Sequence, residues 1–226
     1  MASKSRSKLV APVFADPSDL ALRSVVADAL LEIQDPWGTL IAAQLGGKPG
    51  PAGKLLRASE EEMLAEYLED FIGPLALVGS TLRKKRCFQF VNGFLEFVRL
   101  DKRKVPREAW TAAAKAPHWA TVRHAEFSVL EVPIWFIKEW AKNKAAMRSL
   151  CIFTFSGLHL ECESPSAGWV LSSIFRPTPY GTALAAFVEG VPKAERARMT
   201  FAPKLAKKHR EWAAWAVAGL GTNLVV

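Results

Sequence analysis

Four histidines, three cysteines and 22 carboxylates are the side chains from which this chain could build a reactive centre. Their spacing limits what they can do. His118, His124, His159 and His209 form no i,i+4 pair and no HExxH, so no helix offers two imidazoles to one metal ion. His124 and His159 alternate out of candidate strands, His159 near Glu161, and nothing in the sequence brings them together. Cys87, Cys151 and Cys162 show no CxxC or CxxxC spacing, and their apolar neighbours point to buried, reduced thiols. A two-residue turn at Ser156-Gly157 would set Cys151 opposite Cys162, a geometry that admits a disulfide. Neither cysteine is tied to His159 by spacing as a nucleophile–base pair, and no GxSxG elbow exists. The loop GGKPGPAG (46–53) fails as a phosphate cradle. Lys48 stands at the first required glycine, Leu55 replaces the metal-binding hydroxyl, two prolines remove donors, and a helix precedes the loop. The expectation is a protein that is not an enzyme, with no metal and no cofactor.

The remaining charged residues cluster by sign. Arg83, Lys84, Lys85 and Arg86 form one run, Lys102, Arg103 and Lys104 a second, and Lys204, Lys207, Lys208 and Arg210 a third. The first two flank one candidate hairpin at its open end. A solvated rim that discourages strand pairing explains them. The alternative is a site for a nucleic acid or another polyanion, although no nucleic-acid motif accompanies the charge. Residues 1–82 hold 7 Lys/Arg against 11 Asp/Glu, and residues 83–226 hold 23 against 11. An acidic first third therefore precedes a basic remainder, which bears on partners rather than on fold.

The elements that must position these residues begin with two short helices in residues 16–45. Asp16-Pro17 reads as a helix start, and Leu22, Val25, Val26, Ala29, Leu30 and Ile33 as one apolar face. Asp35-Pro36 stops that helix and starts the next, whose stripe is Trp37, Leu40, Ile41 and Leu45, with Gly46-Gly47 at its end. Ser59 to Glu62 reads as a capping box for a third helix, which Gly73-Pro74 closes. Asp28 is then a surface residue and Asp35 a cap.

These same residues resemble the bacterial repeat-companion domain family. RSVVADALLE (23–32), then Asp35-Pro36-x-Gly38, Ile41 and Gln44, is similar to that family's R-L-V-Y-A-D-W-L-E-E and D-P-x-G-E-F-I-x-x-Q. Val26, Ala29 and Thr39 depart from the usual Tyr, Trp and Glu and leave the helical register unchanged. The resemblance extends through EEMLAEYLEDFIGPLA to about residue 76. It implies a helical module followed by degenerate leucine-rich repeats, with Asp28, Asp35, Pro36, Trp37 and Gly38 as structural motif residues. It brings no chemistry to carry over.

Beyond residue 86 the period changes. CFQFV and FLEFVRL around Asn92-Gly93 read as a β-hairpin. Strands near 94–100, 121–127 and 150–155 alternate with helices near 106–115 and 134–145. Val98, Val122 and Leu150 mark a period within that of leucine-rich repeats. Two more strands around the 164–168 turn, a helix at 180–191, a strand at 197–203, a basic helix at 204–218 and an edge strand at 223–226 complete the chain. The fold class expected is α/β: a helical module capping a small degenerate leucine-rich-repeat-like stack of strand-helix units. The domains expected are a disordered basic tail (1–15), the helical module (16–82) and the α/β domain (83–226). No run of apolar residues is long enough for a membrane span, and the basic first residues lack a signal-peptide pattern, so a cytoplasmic location is expected. The function expected is protein–protein interaction, as a scaffold, adaptor or immunity-like binder. One or two exposed tryptophans would anchor the partner.

Overall fold

A computed structural model describes residues 2–46, 51–79, 87–101, 104–128, 130–143, 149–153, 157–162, 168–174, 180–222 and 224. Within those ranges the side chains of 2–4, 51–58, 143, 149–153, 157 and 173–174 are not described. The fold is mixed α/β. Helices α1 (Ala2–Ala15), α2 (Leu20–Glu32), α3 (Pro36–Leu45), α4 (Pro51–Ile72) and α5 (Leu75–Val78) come first. Strands β1 (Phe88–Val91) and β2 (Phe94–Leu100) follow. Then come α6 (Arg107–Ala114), a 3₁₀ turn at Pro117–Ala120, β3 (His124–Ser128), α7 (Ile134–Trp140) and β4 (Ser149–Phe153). The rest is β5 (Gly157–Glu161), β6 (Val170–Ile174), α8 (Gly181–Gly190), α9 (Lys193–Arg196), β7 (Thr200–Phe201) and α10 (Lys207–Ala216).

The seven strands form one sheet in chain order. β1 and β2 are the antiparallel hairpin, and the turn takes φ 50° at Asn92 and 79° at Gly93, the pair of positive values that a two-residue turn of this hand needs. β2, β3 and β4 run parallel to their neighbours, β4, β5 and β6 antiparallel, and β7 parallel to β6. One register row crosses Val98, Ala125, Leu150, Leu160 and Leu171, and of these the four with described side chains are buried. The next row crosses Arg99, Glu126, Cys151 and His159 and belongs to the opposite face, where Arg99 pairs with Glu126 at 3.3 Å. The sheet thus buries one face against the helices and leaves the other wet.

Two aromatic groups fill the core. Trp37 contacts Phe71 and Phe94 at ring distances of 5.6 and 5.5 Å beneath the helical module. Trp140 contacts Trp119, Phe127 and Phe187 at 5.7, 4.6 and 6.1 Å between the sheet and α7–α8. The buried apolar residues nonetheless form one continuous cluster from Val10 to Leu224.

Several expectations need correction. The basic N-terminal stretch is helix α1, not a disordered tail, because Val10 and Val13 are buried and Arg6 pairs with Asp35 at 2.6 Å. Asp19 caps α2, accepting from the backbone N–H groups of Ala21 and Leu22, while Asp16 accepts from Ser18 instead. Val25 and Ile33 face solvent, and Arg23 is buried in their stead. Leu45 lies at the exposed end of its stripe. Ser59 is inside α4, which starts at Pro51, so the glycine-rich segment is partly helical and the capping box is not a cap. The period-marking row is Val98, Ala125 and Leu150; Val122 precedes β3. Cys151 lies opposite His159 rather than Cys162, since the β4–β5 register is offset from a turn centred on Ser156-Gly157. The 134–145 helix gives way to a 3₁₀ turn after Trp140, and the last helix is the shorter α10. Of the expected 223–226 strand only Leu224, which is buried, lies within the described residues.

Candidate functional site

The helical module meets the rest of the chain at the Asn92-Gly93 turn. Trp37 Nε1 donates to the Gly93 carbonyl at 2.6 Å, and the Gly93 N–H donates to Gln44 Oε1 at 2.6 Å. Gln44 Nε2 donates to the Phe90 carbonyl at 3.3 Å. Arg23 Nη1 donates to the Val91 carbonyl at 2.8 Å, and Nη2 to the Pro17 carbonyl at 3.3 Å. The Phe90 and Val91 carbonyls belong to the edge strand of the sheet, so the module covers hydrogen-bonding groups that would otherwise invite another strand. A Cβ on Gly93 would overlap Ile41 Cγ1 and lie 2.7 Å from Ile41 Cα. Only glycine lets the turn approach α3 this closely.

The motif residues set up that grip. Asp35 Oδ1 accepts from the Trp37 N–H at 3.0 Å as N-cap of α3, with Pro36 at the first helical position. A Cβ on Gly38 would sit 2.8 Å from Leu30 Cβ and from the Leu31 nitrogen, so glycine is what allows α2 and α3 to touch. Asp28 is exposed on α2. The buried Arg23 is held by Glu96 Oε1 at 3.4 Å and lies over the Phe94 ring, 5.3 Å from its centroid. Burial lowers its pKa, and the charge of Glu96 opposes that. Its Nε has no partner. Arg123 shares Glu96, at 3.6 Å from Oε2.

Beside this junction lies a cavity of about 300 Å³ between α1, α3, the end of α4 and the Pro117–Ala120 turn. Val10, Phe14, Trp37, Phe71, Pro117 and His118 line it, with Arg6 and Asp70. His118 is pushed down to a pKa of about 4 because burial disfavours its charged form; a hydrogen bond to the Phe71 carbonyl works weakly the other way. At neutral pH the ring is uncharged, and Nδ1 is buried without a partner. Arg6 is committed elsewhere, donating to Asp35 Oδ2 at 2.6 Å and to the Asp70 carbonyl at 3.1 Å.

The proposed polyanion residues Arg83, Lys84, Lys85, Arg86, Lys102 and Arg103 lie outside the described residues; Lys104 is exposed at φ 56°. On α10, Arg210 donates to the Leu205 and Pro203 carbonyls, and Lys207 meets Glu211 at 3.8 Å. Lys204 and Lys208 are exposed. Trp215, on the same helix, is 76% exposed, whereas Trp37, Trp110, Trp119, Trp140 and Trp169 are buried and Trp135 and Trp212 partly so. His124 is exposed on the wet face of the sheet. The register sets Cys151 between Glu126 and His159, a juxtaposition that spacing alone does not disclose; the Cys151 side chain is not described. Among the described residues, no three His, Cys, Asp or Glu side chains are arranged to hold a metal ion.

Sequence reasoning missed Arg6, Glu96 and His118 as parts of this region. Arg23 and Gln44 stood in the motif but without a role. No protein-family model, no curated protein and no solved structure matches the chain.

Proposed function

We propose that this chain is a non-enzymatic protein-binding module of the scaffold, adaptor or immunity-like kind, and that its working surface is the outer face of α10. The exposure of Trp215 carries this reading. A tryptophan left in water forgoes roughly 1.5–3 kcal/mol of burial, and this residue type dominates interface hot spots. Lys208 lies two turns before it on α10 and Lys204 just ahead of the helix, both exposed, while Glu211, one turn before it, is paired with Lys207, so the partner suited to this face is an acidic protein segment that supplies an apolar contact.

In the same reading the N-terminal helices act as an end cap, as the resemblance to repeat-companion modules implies. The stretch β2–α6–β3–α7–β4 is a short degenerate leucine-rich-repeat-like stack. In-order parallel strands joined through helices support that view. The antiparallel β4–β5–β6 segment departs from a simple stack. The test is native co-purification of the tagged chain and its Trp215→Ala variant. A stoichiometric protein held by the first and lost by the second supports the reading. Equal capture by both rejects α10 as the surface.

A further inference from the structure

The wet face of the sheet gathers side-chain types that the helical module does not use. Two neighbouring register rows cross β3, β4 and β5. One is His124, Ser149 and Glu161; the other is Glu126, Cys151 and His159. Residues two apart on a strand share a face, so all six positions fall on the side that carries Arg99. Burial agrees. His124 and Glu161 are exposed and Glu126 and His159 half-buried, whereas the alternating Ala125, Leu158 and Leu160 are buried. Five of these six positions are metal-ligating types. Across the chain, four His, three Cys and 22 Asp or Glu among 226 residues make such types only about one in eight. A wet face needs polar side chains, and serine, threonine or lysine would serve. It has no need of a cysteine, which is among the most buried residue types and is placed by its reactivity more than by packing.

Cys151 is the position that joins the set. β3 and β5 stand two strand spacings apart, about 9.5 Å. The described side chains alone form no group of three that could hold a metal. Cys151 falls between them by register, one spacing from each, and the Cβ atoms of such neighbours are about 4.5–5.5 Å apart. A zinc ion sits about 2.3 Å from a thiolate sulfur and about 2.0–2.2 Å from an imidazole nitrogen or carboxylate oxygen, so it can bridge neighbours at that spacing. Thiolate, imidazole and carboxylate together are a donor set for zinc; magnesium and calcium take oxygen ligands. Arg99 meets Glu126 Oε2 at 3.3 Å, but with 39% and 33% of these side chains exposed the pair is weak and yields to a metal.

We propose that Glu126, Cys151 and His159 bind one zinc ion on the wet face of the sheet, with water in the fourth position. The ion displaces the thiol proton of Cys151 to solvent and is held by the thiolate. His124 and Glu161 are the diagonal neighbours of Cys151, about 7–8 Å away, a distance that long side chains cover. No residue comes from α10, so this site and the protein-binding face stand or fall separately.

The untagged full chain, stripped with a chelator and kept reduced, should take up one zinc ion per molecule in a competition titration against a colorimetric chelator. Cobalt in place of zinc should give the visible bands of a tetrahedral ion and the near-ultraviolet charge-transfer band of a cobalt–thiolate bond. Cys151→Ser should abolish the charge-transfer band and weaken zinc binding at least about tenfold, no less than the loss an outer-shell change brings. His159→Ala should weaken zinc binding as much and keep the thiolate band at raised cobalt concentration. His209→Ala, outside both rows, should change neither readout. If a Cys151 or His159 variant fails to fold, the stoichiometry and the cobalt spectrum of the unaltered chain still decide. No zinc uptake in competition with the chelator, a cobalt spectrum without the thiolate band, or undiminished affinity in Cys151→Ser would overturn the proposal. So would loss of binding with His209→Ala, since the ion would then sit elsewhere.

Discussion

Replacing Glu96 by Gln should destabilise the chain through a residue 73 positions away in sequence, Arg23. The Arg23 side chain is 1% exposed and its partner Glu96 13%, with 3.4 Å between charged atoms. At an effective dielectric of about 20, that separation corresponds to an attraction of about 5 kcal/mol before desolvation is counted. Breaking a buried pair from one side typically costs about 3–5 kcal/mol, because the surviving charge stays buried. The Val91 and Pro17 carbonyls still accept from Arg23 in the variant, which places the loss near the lower end, about 3 kcal/mol. For a chain of this size that is a fall in Tm of roughly 6–12 °C. Arg23→Met should cost a similar amount, since it leaves the Val91 carbonyl without its donor while Glu96 keeps Arg123. The double variant should recover about 2 kcal/mol of the summed losses, because no uncompensated guanidinium remains. Urea unfolding of the four proteins gives the cycle. Single-variant losses that add to within about 0.5 kcal/mol would refute the claim that Glu96 is what makes Arg23 tolerable inside the core.

Gly93→Ala should cost more than about 3 kcal/mol, combining a left-handed backbone with overpacking against Ile41; loss of the β1–β2 amide protection in hydrogen exchange would accompany it. His118 makes stability depend on pH. Its folded pKa of about 4 lies below the usual 6.5, so the unfolded chain takes the proton first. Stability is full above about pH 6.5 and falls progressively toward pH 4, by up to about 3 kcal/mol. His118→Phe should flatten that limb of the pH–stability curve, with Arg6, Asp35 and Asp70 left in place nearby. Arg6→Ala should release α1, costing about 1–3 kcal/mol and giving faster amide exchange in α1 than in α3.

Much of the frame was legible because local chemistry dictates it. Asn92-Gly93 forces a hairpin whatever surrounds it, and Asp35-Pro36 forces a helix junction. Period-2 and period-3.6 patterns then located most of the elements. What escaped was set by contacts distant in sequence. The N-terminal stretch looks like a basic tail until Asp35 gives Arg6 a partner and the core takes Val10 and Val13. Arg23 falls on the apolar side of α2, and only the hairpin carbonyls and Glu96 explain a charge there. Cys151 opposite His159 depends on a strand register that turn propensity misplaces. His118 has no motif at all; its environment comes from α1, α3 and α4, three elements from another part of the chain. Trp215 read as one of eight tryptophans, and only the packing of the other seven sets it apart.

The measurement that bears most directly on the proposed function is quantitative native co-purification of three forms of the full chain: unaltered, Trp215→Ala, and His118→Phe. A binding face on α10 predicts one stoichiometric protein partner retained by the unaltered and His118→Phe chains and reduced at least tenfold with Trp215→Ala, with capture weakening as salt screens Lys204 and Lys208. A partner that Trp215→Ala retains in full would contradict it.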